Sequence, residues 1–279
     1  MPAPRLGVCS WSLRPADPAD LAEKVRTCGL DAVQLALDPL RHGGAWDPDR
    51  TIAALRDAGI TIASGMMAPA GEDYSTLESI RATGGLRPDA TWPANLEAAR
   101  GNAALAKRLG LSLVTLHAGA FPEDESDPLF AIMIDRLRAV ADVFAAAGVR
   151  IGLETGQEPA HRVVRMLDRL VRTSVGVNFD PANMILYGSG EPIPALRRLA
   201  PWVLQVHMKD ARPTDRPGTW GTEVPAGEGA VDWEAFFADL AGLPRRVNVM
   251  IEREAGEERV EDVRRAAAIA RRFMPGGAR

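Results

Sequence analysis

Residues 149–180 read VRIGLETGQEPAHRVVRMLDRLVRTSVGVNFD. Two short apolar runs, VRIGLE and VGVNFD, flank a stretch (160–171) with the apolar spacing of a helix, and each run closes on a carboxylate, Glu154 and Asp180. Strand, helix and strand in this order form a parallel unit. A buried strand has no internal use for a carboxylate at its tip, because removing the group from water costs several kcal/mol unless something compensates. The ending recurs downstream, where VLQVH closes on His207 and VNVMIE on Glu252. Successive strand tips that can each bind a divalent metal point to a shared centre.

The same alternation runs along the rest of the chain. Apolar runs lie at 5–11, 30–37, 60–66, 111–118, 149–154, 174–180, 202–209 and 246–252. Between and after them, helical spacing and good helix formers predict helices over 18–27, 48–58, 93–109, 128–147, 160–171, 192–200, 232–241 and 257–273. Asp17-Pro18, Asp47-Pro48 and Asp127-Pro128 each supply an N-cap followed by proline in the first turn. Gly29, Gly59, Gly110 and Gly148 fit the position just past a helix end. Eight such units in 279 residues predict one α/β domain, 1–279, folded as a single (β/α)8 TIM barrel with its active site at the C-terminal ends of the strands. An open doubly wound sheet would be expected to carry a glycine-rich phosphate turn after its first strand, and CSWSLRPAD is not one. Two longer excursions, 68–93 after the third strand and 211–231 after the seventh, are expected to overhang the mouth as lids or substrate walls.

Composition narrows the partners. The 33 basic and 37 acidic residues are well mixed, net charge −4, so no basic stripe offers itself to nucleic acid or an anionic membrane. No apolar run approaches the roughly 20 residues needed to cross a bilayer, and MPAPRLGVCSW runs straight into a strand without a secretory leader. A cytoplasmic enzyme is expected, with Cys9 and Cys28 as core thiols, unlinked.

Residues two apart on a strand share a face. Counting back from the tips, the inward set holds Thr115, His117, Gly152, Glu154, Asn178, Asp180, Gln205, His207, Lys209, Asn248 and Glu252. Three carboxylates and one imidazole make a hard, oxygen-rich donor set suited to one Mn2+ or Mg2+, with Co2+, Fe2+ and Zn2+ also compatible. Without thiolates, a closed structural zinc site is not expected. The bland alternative is that the carboxylates pair with Lys209 or Arg253 around the rim.

The order Glu, Asp, His, Glu on strands five to eight resembles the xylose-isomerase-like TIM-barrel superfamily of sugar phosphate isomerases and epimerases. The resemblance covers the whole chain, most specifically in GLETG, NFDPANM, HMKD, GEGAVDW and IERE. Its members include tagatose and psicose epimerases, hydroxypyruvate isomerase, inosose isomerases and dehydratases, 3-dehydroshikimate dehydratase and apurinic endonucleases. The resemblance implies that Glu154, Asp180, His207 and Glu252 ligate the metal and that Glu154 and Glu252 double as the acid/base pair. A cation beside a ketose carbonyl acidifies the neighbouring C–H by stabilising the enediolate. One glutamate on each side of the sugar plane then gives epimerisation, and transfer to the adjacent carbon gives isomerisation.

Substrate contacts are expected from His117, Lys209, Asn183, Glu158, Trp11 and Arg212. For four of them there is a plainer role: a core histidine for His117, a lysine steadying a carboxylate for Lys209, a solvated loop glutamate for Glu158, core packing for Trp11. Arg212, with Trp220 and Glu228, acts only if its loop folds inward. Asn183 stands where many characterised relatives carry histidine; it can donate to a substrate oxygen but cannot act as acid or base. With four histidines in all, this argues against the endonuclease branch. The expected activity is therefore isomerisation or epimerisation of a small keto-sugar or polyol ketone, with dehydration of an inosose-like cyclic ketone as the alternative. A non-catalytic sugar-binding barrel would be expected to have lost a ligand, and all four stand. The resemblance also allows a homo-oligomer.

Overall fold

The computed structural model describes residues 4–274; the remaining ends of the expected 1–279 domain lie outside the described residues. The chain enters on β1 (Leu6–Cys9), a 3-10 turn (Ser10–Leu13), α1 (Pro18–Thr27), β2 (Ala32–Ala36), α2 (Asp38–His42), a second 3-10 turn (Gly44–Trp46) and α3 (Pro48–Asp57). Next come β3 (Thr61–Met66), α4 (Leu77–Thr83), α5 (Trp92–Arg108), β4 (Leu113–Leu116), α6 (Pro128–Ala146), β5 (Arg150–Glu154), α7 (Ala160–Leu170) and β6 (Val175–Phe179). The last third holds α8 (Pro181–Tyr187), α9 (Pro192–Leu199), β7 (Val203–Met208), β8 (Asp210–Arg212), β9 (Thr222–Val224), α10 (Trp233–Ala241), β10 (Asn248–Ile251) and α11 (Arg259–Phe273). Eight strands close in the order β1-β10-β7-β6-β5-β4-β3-β2, each paired in parallel with its neighbours. This is the (β/α)8 barrel read from the alternation.

The local signals act as their chemistry requires. The carboxylates of Asp17, Asp47 and Asp127 accept first-turn amides of α1, α3 and α6. Gly29, Gly59, Gly110 and Gly148 take φ of 70, 72, 69 and 77° past their helices, where a Cβ would be strained. Of three short helices, α2 and α8 lie in stretches read as connections and α4 in the excursion 68–93 read as a lid or substrate wall. The start of α8 carries the same Asp-Pro signature as the others, Asp180-Pro181, with the Asp180 carboxylate accepting from the Asn183 amide at 2.9 Å.

Outside the barrel wall the core is aromatic and aliphatic. Phe144, Phe179, Phe236, Leu21 and Leu55 are fully buried, each stabilising the fold by roughly 1.5–3 kcal/mol. Inside, a polar layer spans the barrel beneath its mouth: Gln34, Ser64, Thr115, Asn178 and Gln205 are all fully buried. Ser64 Oγ donates to Gln205 Oε1 at 2.7 Å, and Gln205 Nε2 donates to Gln34 Oε1 at 2.9 Å and Asn178 Oδ1 at 3.3 Å. Cys9 and Cys28 are buried and unlinked.

The excursion after β7 folds as a small antiparallel hairpin, β8 with β9. Asp210 organises the segment from the hairpin to α10, its carboxylate accepting from the amides of Gly227, Gly229 and Val231 and from the Trp233 indole. A Cβ at residue 229 would sit 2.0 Å from Asp210 Oδ1, so the second glycine of the GEG segment is a packing requirement.

Candidate metal centre and active site

Strands β5, β7 and β10 and the turn between β6 and α8 deliver Glu154, His207, Glu252 and Asp180 to one point of the mouth. One oxygen from each carboxylate and one imidazole nitrogen all lie within 4.8 Å of one another. His207 Nδ1 is 3.4 Å from Glu154 Oε1, 3.4 Å from Glu252 Oε2 and 3.9 Å from Asp180 Oδ2. Asp180 Oδ2 and His207 Nδ1 are buried and have no hydrogen-bond partner. Orphaned buried polar atoms are rare and costly, and here the two stand 3.9 Å apart. Carboxylate oxygens around a ring nitrogen suit a hard or borderline divalent cation, so the residues present fit a metal ion.

The electrostatics agree. Burial, with Glu252 and Glu154 adding to it against Lys209, pushes the Asp180 carboxyl up to about 7. Burial pushes Glu252 the same way, but Lys209 and His207 outweigh it and hold the carboxyl at about 2. For Glu154, His207 and His117 overcome burial and keep it well below the usual carboxylate range. The concentrated negative charge is countered within the protein by Lys209, whose Nζ lies 2.7 Å from Glu252 Oε2, 2.7 Å from Glu254 Oε2 and 3.4 Å from Asp180 Oδ2.

A ring of partners fixes the orientation of these groups. Trp11 Nε1 donates to Glu252 Oε1 and Asn183 Nδ2 to Glu154 Oε1, both at 2.9 Å. His117 Nε2 lies 3.4 Å from Glu154 Oε2, and its Nδ1 is 2.7 Å from the Tyr74 hydroxyl, which donates to Glu72 at 3.1 Å. Burial opposes charge on His117, but Glu154 and Glu72 prevail and raise it to about 10. A recess of about 40 Å3 opens beside Glu154 between His117, Glu158, Asn183 and Tyr187. On the other side, Trp11 walls a trough of about 290 Å3 with Leu35, Pro39 and Trp46.

The residues expected to touch substrate thus fall into groups. His117, Lys209, Asn183 and Trp11 contact the candidate ligands directly. Glu158 lines the recess, with its Oε1 accepting from the Phe121 amide at 2.9 Å. Arg212 lies outside the cluster: it is exposed on the hairpin, its Nε donating to the Glu228 carbonyl at 2.8 Å. Trp220 packs its ring 4.7 Å from Tyr187, which brings the hairpin against the recess. Sequence reasoning missed Gln34, Glu72, Tyr74, Tyr187 and Glu254. The inward alternation of β2 could have found Gln34, and Glu254 stands two residues past Glu252 in IERE; nothing local marked Glu72 or Tyr74.

Comparison with known proteins adds the lineage. A family model described as xylose isomerase-like TIM barrel matches residues 22–273. The chain belongs to this family. Among solved structures, a xylose isomerase domain protein from Planctomyces limnophilus is 28% identical, with a TM-score of 0.86 over 98% of this chain and 99% of the other. A family protein from Mycobacterium smegmatis in complex with magnesium is 16% identical, TM-score 0.75, over 98% of each chain. An L-ribulose 3-epimerase is 17% identical, TM-score 0.74, over 97% of this chain and 94% of the other. At that identity the last two speak for the fold alone. The curated relative YihM from Escherichia coli K12 is 28% identical over 144 residues, half of this chain and 43% of YihM, so the chain matches under half of that relative's length. Among the described residues, no helix is long and apolar enough to cross a membrane.

Proposed function

We propose that this protein is a divalent-metal-dependent isomerase or epimerase of a small keto-sugar or polyol ketone. The observation that carries the reading is the buried meeting of Glu154, Asp180, His207 and Glu252, with one donor atom of each within 4.8 Å of the others and His207 Nδ1 and Asp180 Oδ2 in no hydrogen bond. Those four residues would hold the ion, and Mn2+ or Mg2+ suits their donor atoms best. When bound, the ion supplies Lewis-acid polarisation of a substrate carbonyl, which acidifies the adjacent C–H. The rest belongs to this chain. Glu154 takes the proton from the carbon beside the carbonyl, and a proton passed from Lys209 through Glu252, 2.7 Å apart, returns to the opposite face or to the neighbouring carbon. Glu154 then loses its proton and Lys209 regains one from solvent. Asn183 and Trp11 hold the two carboxylates in place, while His117 and Tyr187 offer polar atoms to sugar hydroxyls in the recess. Low exposure of the centre keeps water from competing for the proton. The L-ribulose 3-epimerase shares the barrel fold; the choice of sugar chemistry rests on the donor set at the mouth.

The test is a panel of ketoses and inososes incubated with Mn2+-loaded protein in deuterated water. Deuterium should enter at the carbon beside the carbonyl, and Glu154→Gln and Glu252→Gln should each abolish incorporation while retaining the fold. Turnover by both variants at the normal rate sinks the acid/base assignment, and release of water to give an enone moves the protein to the dehydratases.

A further inference from the structure

We propose that Gln34 is the positioning residue that decides which nitrogen of His207 faces the carboxylates. The inference rests on the metal-centre reading above and deepens it. Gln34 lies on β2, across the barrel from His207 on β7, and both are fully buried. Its carboxamide is held at both ends. Nε2 donates to the Gly65 carbonyl at 3.3 Å and to Thr115 Oγ1 at 2.7 Å. A backbone carbonyl only accepts, so the NH2 end must point that way and the amide has one satisfied orientation. Oε1 is thereby turned to three donors: His207 Nε2 at 2.8 Å, Gln205 Nε2 at 2.9 Å and Cys9 Sγ at 3.5 Å.

The consequence passes straight to the ligand. Opposite an acceptor oxygen at 2.8 Å, His207 Nε2 must carry hydrogen; a bare Nε2 would set two lone pairs against each other in a buried layer. The nitrogen left to give up its proton to a cation is Nδ1, the atom 3.4 Å from both glutamates and without a partner of its own. The chain of cause runs from the Gly65 carbonyl through Gln34 to the imidazole. A β2 residue that touches no carboxylate of the centre therefore sets its donor atom, by the same logic with which outer partners orient histidine ligands elsewhere.

The test uses the full-length protein and two substitutions. Gln34→Met keeps side-chain length but removes the acceptor; Gln34→Glu keeps an acceptor opposite Nε2, and in its protonated form its O–H takes the place of the amide donor to the Gly65 carbonyl. In Zn2+-loaded, 15N-histidine-labelled wild type, ring 15N spectra should show His207 with hydrogen on Nε2 and its Nδ1 coordinated. Gln34→Met should lose that signature and weaken Mn2+ binding by about ten- to a hundredfold, and Gln34→Glu should restore the signature and most of the affinity. Melting of the metal-free proteins checks the fold separately, because a merely structural role would lower stability without moving the tautomer. Unchanged Mn2+ affinity and an unchanged signature in folded Gln34→Met overturn the assignment. If wild type takes up neither ion, the metal reading itself fails, an outcome distinct from failure of Gln34 alone.

Discussion

Replacing Lys209 with methionine separates the two ways this site can be neutralised. The Lys209 ammonium is 2% exposed and lies 2.7 Å from Glu252 and 3.4 Å from Asp180. Burial works against its charge, but Glu252, Glu254 and Asp180 more than offset that and hold its pKa well above the usual lysine range. In metal-free protein, Lys209→Met leaves buried carboxylates without their nearest cation, and breaking such a pair costs about 3–5 kcal/mol. For a chain of this size each kcal/mol moves the melting temperature by roughly 2–4 °C, so a fall of roughly 10 °C is expected. Metal binding should move the other way. Lys209 donates to Glu252 Oε2, an oxygen the ion would use, and stands 3.4 Å from Asp180 Oδ2, and an opposing unit charge about 4 Å away is worth up to about 4 kcal/mol at a near-surface dielectric. Screening and relaxation will leave a fraction of that, so a gain in Mn2+ affinity of about tenfold is expected from roughly 1.4 kcal/mol. The assays are thermal melting after chelation and calorimetric Mn2+ titration of the folded variant. A Lys209→Met protein that melts like wild type without metal, or binds Mn2+ more weakly, refutes the view that lysine and metal compete for the same oxygens.

Two further outcomes are expected from the same geometry. The Asp180 carboxyl is raised to about 7 in the folded protein against an ordinary 3.8, so its contribution to stability is full below the ordinary value and is lost as pH rises through the folded one. His117, raised to about 10, adds loss of the same sign at higher pH, whereas Glu252, held at about 2, acts in a more acidic window. The melting temperature of chelated protein should fall between about pH 5 and pH 8, and saturating Mg2+ should flatten the fall; a rising profile in the chelated form contradicts the assignment. Gly229→Ala drives a Cβ against the Asp210 carboxylate, and strain of this kind costs roughly 1–3 kcal/mol. It should lower the melting temperature and speed proteolysis in the loop after β7, and a variant as stable as wild type would show that Asp210 does not organise that segment.

Most of the barrel was legible because its signals are local. Asp-Pro starts, glycine stops and apolar runs each act within a few residues, and together they count out eight units. The short helices were less so. α8 begins at an Asp-Pro pair like its longer counterparts, but the charge of Asp180 at a strand tip masks its capping role. One carboxylate serves both ends: Oδ1 caps the helix while Oδ2 lies 3.9 Å from His207 Nδ1. Strand limits also shrank at both ends: of the run 30–37 only Ala32–Ala36 lies in the sheet, although the Leu37 amide still donates to the Met66 carbonyl at 2.9 Å.

The site divides along the same line. A carboxylate or imidazole at the tip of an apolar strand is conspicuous because burial penalises it, so the four candidate ligands stand out one by one. Glu72 and Tyr74 carry no such mark: they sit in a polar, glycine-punctuated loop where glutamate and tyrosine are unremarkable, and only the return of that loop over the mouth sets the Tyr74 hydroxyl on His117. Gln34 was hidden for a different reason. Its strand ends in AVQLA without a charged tip, and a single buried glutamine could equally close a hydrogen bond anywhere in a core. What gives it meaning is the pairing of β2 with β3, which places the Gly65 carbonyl at one end of its amide, and barrel closure, which brings His207 to the other. A strand tip reveals its chemistry by its cost, whereas a residue that orients a ligand is fully satisfied and therefore silent in the sequence. Residues of the second kind have to be looked for one layer beneath any set of ligands, in the buried polar atoms whose partners leave them no alternative orientation.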